Sequence, residues 1–120
     1  MILDAIISVL NPIIDTYTAV GDINAAVPFA VIQVEPSPIR SKDGIIGYTQ
    51  KASVTLVDTD ITRIDANAQA VFAAIAAMSG TIQGCVINDV LFESEQGISF
   101  DQLSNSYQNS LDFNFDTDNR

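Results

Sequence analysis

The chain reads as an α+β domain, with a mostly antiparallel four-stranded sheet and two helices packed on one face, in the order αββαββ. Two segments carry most of that expectation. From Tyr107 to Thr117 the sequence Y-Q-N-S-L-D-F-N-F-D-T places Tyr107, Leu111, Phe113 and Phe115 on one side of an extended chain. Gln108, Ser110, Asp112, Asn114 and Asp116 fall on the other, with Asn109 the only polar residue inside the apolar row before it ends at Thr117. A strand with one dry and one wet face belongs to an antiparallel sheet whose second face meets water, a lumen or another subunit. From Ile61 to Met78, Ile61, Ile64, Ala68, Val71, Phe72, Ile75 and Met78 recur at three- and four-residue spacing, the signature of a helix face.

The remaining elements follow in order. Residues 2 to 18 place Leu3, Ile6, Ile7, Leu10, Ile13, Ile14 and Tyr17 on one helical face, and Pro12 demands a kink or a short break at Asn11. Gly21 and Asp22 mark a turn. Val27 to Val34, apolar on both faces and rich in β-branched residues, predicts a buried central strand. Glu35 to Gly44 holds two prolines and a glycine and reads as a long exposed connection, giving an extended hairpin arm over about 35–47. Alternation resumes from Ile45 to Asp58 in a strand that pairs with the preceding one as a hairpin. Asp58, Thr59 and Asp60 offer N-caps for the second helix, and Gly80 ends it.

The second half of that helix, A-V-F-A-A-I-A-A-M, carries no charge on any side. It either meets a neighbouring subunit or uses alanine as a good helix former on an ordinary surface. Val86 to Glu93 predicts a third strand. The loop that follows carries Ile98, Phe100 and Leu103 among polar residues, which either fold back under the sheet or insert into a partner. Residues 116–120 are expected to fray.

At 120 residues the chain suits one domain with one core, and 48% hydrophobic residues argue against disorder. One cysteine, Cys85, excludes an internal disulfide and reads as a small core hydrophobe. The first ten residues lack the basic start of a signal peptide, and no apolar run is long enough to span a membrane. The chain is therefore expected to be soluble and made in the cytoplasm. Its net charge of -10 leaves Arg40 and Lys42 as the only close basic pair, which excludes a phosphate-backbone interface.

Chemistry is hard to place. The chain has no histidine, so no Ser-His-Asp, Cys-His or His-metal arrangement can form. Glu93 with Glu95 fits a solvated strand end. Asp58/Asp60 and Asp116/Asp118 lack the ligand count and glycine spacing of a calcium loop. The expectation is no enzyme, no metal and no cofactor.

Several segments, taken in order, resemble the phage tail-terminator or tail-completion family. A-A-V-P-F-A-V-I-Q-V is similar to that family's entry to its first strand. T-Q-K-A-S-V-T-L-V-D-T-D with D-A-N-A-Q-A-V-F-A-A-I resembles its second strand and long helix, and I-Q-G-C-V-I-N-D-V-L-F-E-S-E its third strand. S-Y-Q-N-S-L-D-F-N-F is similar to its closing signature at Tyr107, Ser110, Leu111, Asp112 and Phe113. Gln108 stands where the family often has arginine, and Asn105-Ser106 replaces a small Thr-Gly turn.

The resemblance implies a structural protein of the virion tail, at its head-proximal end. Such a protein would form a homo-oligomeric, six-fold ring that caps the tail-tube protein, stops tail growth and meets the head connector, with DNA passing nearby and no membrane contact. On that reading Ile39, Arg40, Lys42, Ile98, Phe100 and Leu103 are expected at subunit or tail interfaces. Asp112 and Asp116 either face a channel, where negative charge limits sticking, or sit on an ordinary solvated sheet face. A neck adaptor ring of the same virion, or a small monomeric binding module or enzyme of ferredoxin-like shape, are the alternatives.

Overall fold

A computed structural model describes residues 1–18 and 26–120, so the turn expected at Gly21-Asp22 lies outside the described residues. The elements run α1 (Ile2–Leu10), β1 (Asp15–Thr18), β2 (Phe29–Ser41), β3 (Gly44–Asp58), α2 (Ile61–Ala76), β4 (Gly80–Ile82), β5 (Cys85–Glu95), β6 (Ser99–Asp101) and β7 (Ser106–Thr117). All seven strands join one curled mixed sheet in the order β1-β2-β3-β7-β5-β4, with β6 pairing β7. This corrects the expected four-stranded antiparallel sheet of order αββαββ: β1, β4 and β6 are added, and the β1–β2 pair is parallel.

Each added strand is three or four residues long, too short to show a period. The D-T-Y-T of β1 sits in what reads as the tail of a helix. Pro12 ends that helix instead of kinking it, because a proline cannot supply the next intrahelical N–H. Asn11 becomes the C-cap, and the chain turns into β1 four residues later. β4 and β5 form a tight hairpin through Gln83 and Gly84, both at positive φ (49° and 77°), as the type I′ turn requires.

The segment Glu35 to Ser41, expected as loop, is strand. β2 stays paired with β3 from Phe29↔Val57 to Ser41↔Gly44, straight through Pro36 opposite Gln50 and Pro38 opposite Tyr48. Proline lacks an N–H, so it fits a ladder only where its nitrogen points away from the partner strand. Pro36 and Pro38 share one side of the strand, so both nitrogens face outward, away from β3.

β7, the last strand of the chain, lies at the centre of the sheet, between β3 and β5. Its apolar row does what the alternation demands. Leu111, Phe113 and Phe115 are buried against Val54, Ala52 and Gln50 of β3, and Asn109 is buried in the same row. The Asn109 amide is satisfied, donating to Glu95 Oε1 at 3.1 Å and accepting from Gly97 N at 3.1 Å. The inner face of the sheet packs on Ile2, Ile6 and Leu10 of α1 and on Ile64, Ala68, Val71 and Ile75 of α2. Cys85 lies in that core, and burial pushes its thiol up.

The C-terminal residues 116–120, expected to fray, are tied down. Thr117 is buried and accepts from the Gln50 side-chain amide at 2.9 Å. Asn119 accepts from Val86 N at 2.9 Å and donates to Gly84 O at 2.8 Å. Arg120 O accepts from Ile2 N at 2.8 Å, satisfying one of the unpaired N–H groups at the start of α1. Gly47 is required where the arm leaves this region, because a Cβ there would stand 2.9 Å from Thr117 O.

Of the three candidate N-caps, Asp60 takes the position, accepting from Thr62 N at 3.0 Å and Arg63 N at 3.2 Å. Asp58, 1% exposed, instead receives a two-pronged contact from Arg63, with Nε and Nη2 each 2.6 Å from a carboxylate oxygen. The hydrogen-bonded Arg63 guanidinium holds the Asp58 carboxyl below its usual range against the opposing effect of burial. A depressed folded-state value stabilises the fold above the unfolded carboxyl value of about 4 and is lost as pH falls through the folded value. Asp58→Asn is therefore expected to lower the urea midpoint at pH 7, with the gap to wild type narrowing as pH falls below about 4. Urea titrations of both chains at pH 7, 4 and 2.5 check this, and a gap unchanged by acid contradicts it.

Candidate assembly surfaces

β3, with 15 residues, runs much of the molecule's 51 Å long axis and sets where the exposed apolar groups fall. At one end β7 stops at Thr117, opposite Tyr48, so the β2–β3 hairpin continues alone from Ile39 to Gly47. Three further residue pairs at about 3.3 Å each carry it roughly 10 Å past the last three-stranded rung. Ile39, Arg40 and Lys42 all lie on this arm and are exposed, as are Ile45 and Ile46, the last at 62%. The tip turns through Lys42 and Asp43 into Gly44, at φ 114°.

At the other end, β7 begins opposite Asp58, and β6 folds against it as a short hairpin. Phe100 lies edge-on to Tyr107 at 5.1 Å between ring centres, while Leu103, at the hairpin tip, is fully exposed. Ile98 precedes the hairpin and is also exposed. The six residues expected at interfaces thus divide into two groups at opposite ends of one long strand, and the fold does not bring them together.

Asp112 and Asp116 both lie on the outer sheet face. Asp112 is half-buried, with Ser53 Oγ of β3 donating to its Oδ1 and Ser94 Oγ of β5 donating to its Oδ2 at 3.2 Å, so its carboxylate bridges three strands. Asp116 is exposed and stands in register with Asp89. Glu93 on the same face meets Lys51 at 3.7 Å and accepts from Asn114. Asp58 is committed to Arg63 and Asp60 to the α2 cap. No group of three or more potential metal-ligating side chains forms among the described residues, and no helix among them is long and apolar enough to cross a membrane.

A surface that sequence reasoning missed lies on the inner side, where α2 and β5 diverge. Phe72 and Phe92, each 40% exposed, stack edge-on at 5.0 Å, and Phe92 meets buried Phe113 at 5.5 Å. Beside them is a groove of about 290 Å³ lined by Ala68, Gln69, Phe72, Phe92, Glu95 and Leu111. The charge-free half of α2 pointed to one wall. The other was hidden because irregularities at 87/89 and 92/94 break the alternation of β5.

No family model matches the chain, and no curated protein matches it. Among solved structures, the fold is similar to that of a chain in a structure described as "Virion of native gene transfer agent (GTA) particle". The TM-score is 0.69 at 13% identity, over 93% of this chain and 83% of the other. At that identity the likeness is one of fold.

Proposed function

We propose that this chain is a structural, non-enzymatic component of a tailed phage-like virion. On this reading it assembles as a homo-oligomeric ring at the head-proximal end of the tail tube, where it ends tube growth and joins tail to head. The observation that carries the reading is the fold shared with a gene transfer agent virion chain over 93% of the length. The tail-terminator resemblance, strongest at Tyr107, Ser110, Leu111, Asp112 and Phe113, gives the narrower role.

The distribution of exposed side chains supports assembly. The arm and the β6–β7 hairpin expose isoleucine, phenylalanine and leucine at opposite ends, as a ring subunit that must meet neighbours and an axial partner would need. Surface ion pairs contribute only about 0 to 1 kcal/mol each, so these apolar groups must supply most of the association. The outer face, with Asp89, Glu93, Asp112 and Asp116, would repel a passing duplex if it lined the channel.

The test is absolute mass by light scattering over a dilution series, with and without tail-tube protein, followed by negative-stain imaging. A ring, formed alone or on addition of tube protein, is expected. A chain that stays monomeric with tube protein present overturns the reading.

A further inference from the structure

We infer that the arm of one copy docks in the α2–β5 groove of the next, so that ring closure is a head-to-tail contact between these two surfaces. The inference rests on the ring reading and names the surfaces that would build it.

The arm has the character of an inserted element. Among the described residues, Ile39, Ile45 and Ile46 find no core in their own chain. Strand addition along the outer edge of β2 is poorly served, because Pro36 and Pro38 leave that edge without two donors. The arm is thus suited to bind through side chains at its tip.

The groove has matching chemistry. Its walls are aromatic and aliphatic, Glu95 stands at its rim, Asp65 lies one helical turn from Gln69, and no basic residue lines it. The arm tip holds two of the three basic side chains without an ion pair. Lys51 is paired with Glu93 and Arg63 with Asp58, whereas Arg40, Lys42 and the C-terminal Arg120 make no ion pair among the described residues. In a chain of net charge -10, two copies repel each other unless such a contact offsets the repulsion. Apolar tip into aromatic groove, with Arg40 and Lys42 beside Glu95, meets both needs.

The topology also fits. Arm and groove are different patches, so the contact is heterologous: each copy offers one arm and one groove, and a closed ring leaves none unfilled.

Two single-cysteine variants test the contact, Ile46→Cys and Gln69→Cys, both at exposed positions, with buried Cys85 left in place. Mixed and treated with a short bis-maleimide, they are expected to give a covalent dimer that neither gives alone. Glu95→Lys is expected to weaken association at least tenfold, and the arm double change Arg40→Glu, Lys42→Glu to restore it in the same chain. Circular dichroism confirms that each variant is folded. Rings without the mixed cross-link and without charge-swap rescue overturn this inference and leave the ring reading standing. A wild-type chain that never associates, even with tube protein, overturns both.

Discussion

Replacing Ile39 to Ile46 with an Asn-Gly turn is expected to leave a folded chain that no longer assembles. The physical basis is the division of labour along the β2–β3 hairpin. Up to Tyr48 each rung is supported by β7, and every buried residue of β2 and β3 lies within that region except Gly47, which carries no side chain. The eight residues removed are all exposed, and Asn-Gly followed by Gly47 makes a three-residue loop that closes the shortened hairpin in its native register between Pro38 and Tyr48. Unfolding by urea should therefore shift by no more than about 1 kcal/mol, the scale of surface changes away from packed features. Association should disappear, because the deletion takes Ile39, Ile45, Ile46, Arg40 and Lys42 together. The mass of the shortened chain, measured beside wild type over the same dilution series, decides the matter. An oligomer of undiminished size would mean that the arm is not an assembly element.

Phe113→Ala should have the largest effect on the fold itself. Phe113 is fully buried at the centre of β7, opposite Ala52 of β3 and Phe92 of β5, with Phe72 of α2 a further 6.2 Å neighbour. Truncating a phenylalanine in such a position costs about 3–5 kcal/mol, from lost transfer free energy and from the cavity left behind. Domains of this kind have roughly 5–15 kcal/mol in total, so the variant should be marginal at 25 °C. The same side chain underlies the Phe72–Phe92 pair, so its loss also removes support from the groove. Phe113→Leu keeps most of the volume and should recover more than half of the stability. Urea midpoints of the three chains at pH 7 measure this; an alanine variant within 1 kcal/mol of wild type would show that the site collapses around the change.

What could be read from the sequence, and what could not, follows from length and context. α2 and β7 were legible because each repeats its period for more than ten residues, and the β2–β3 hairpin because Ala52, Val54 and Leu56 alternate cleanly. The fold class was missed at the sheet's margins. β4 and β6 depend on pairing partners that no local pattern announces, and β1 takes its place by a parallel pairing with β2. The prolines of β2 misled because their usual meaning, a loop, is reversed on an edge whose nitrogens face away from β3.

Among the residues expected at interfaces, Arg40 and Lys42 stand out in the sequence by charge in an acidic chain, and the structure places both on the exposed end of the β2–β3 hairpin. The groove was not, because Phe72 and Phe92 come together only when α2 crosses the sheet, and irregular pairing in β5 hides which face Phe92 occupies. Asp112 shows the opposite limit: its place on the polar face was evident, but its role as an acceptor for Ser53 and Ser94 needed both neighbouring strands.

The most direct test of the proposed role is the length distribution of tails, measured by electron microscopy, in particles made with the gene intact and with it interrupted by a stop codon. The account predicts overlong tubes of variable length, few of them joined to heads, when the protein is missing, with uniform joined tails restored on adding it back. Tails of normal length attached to filled heads in its absence would contradict it.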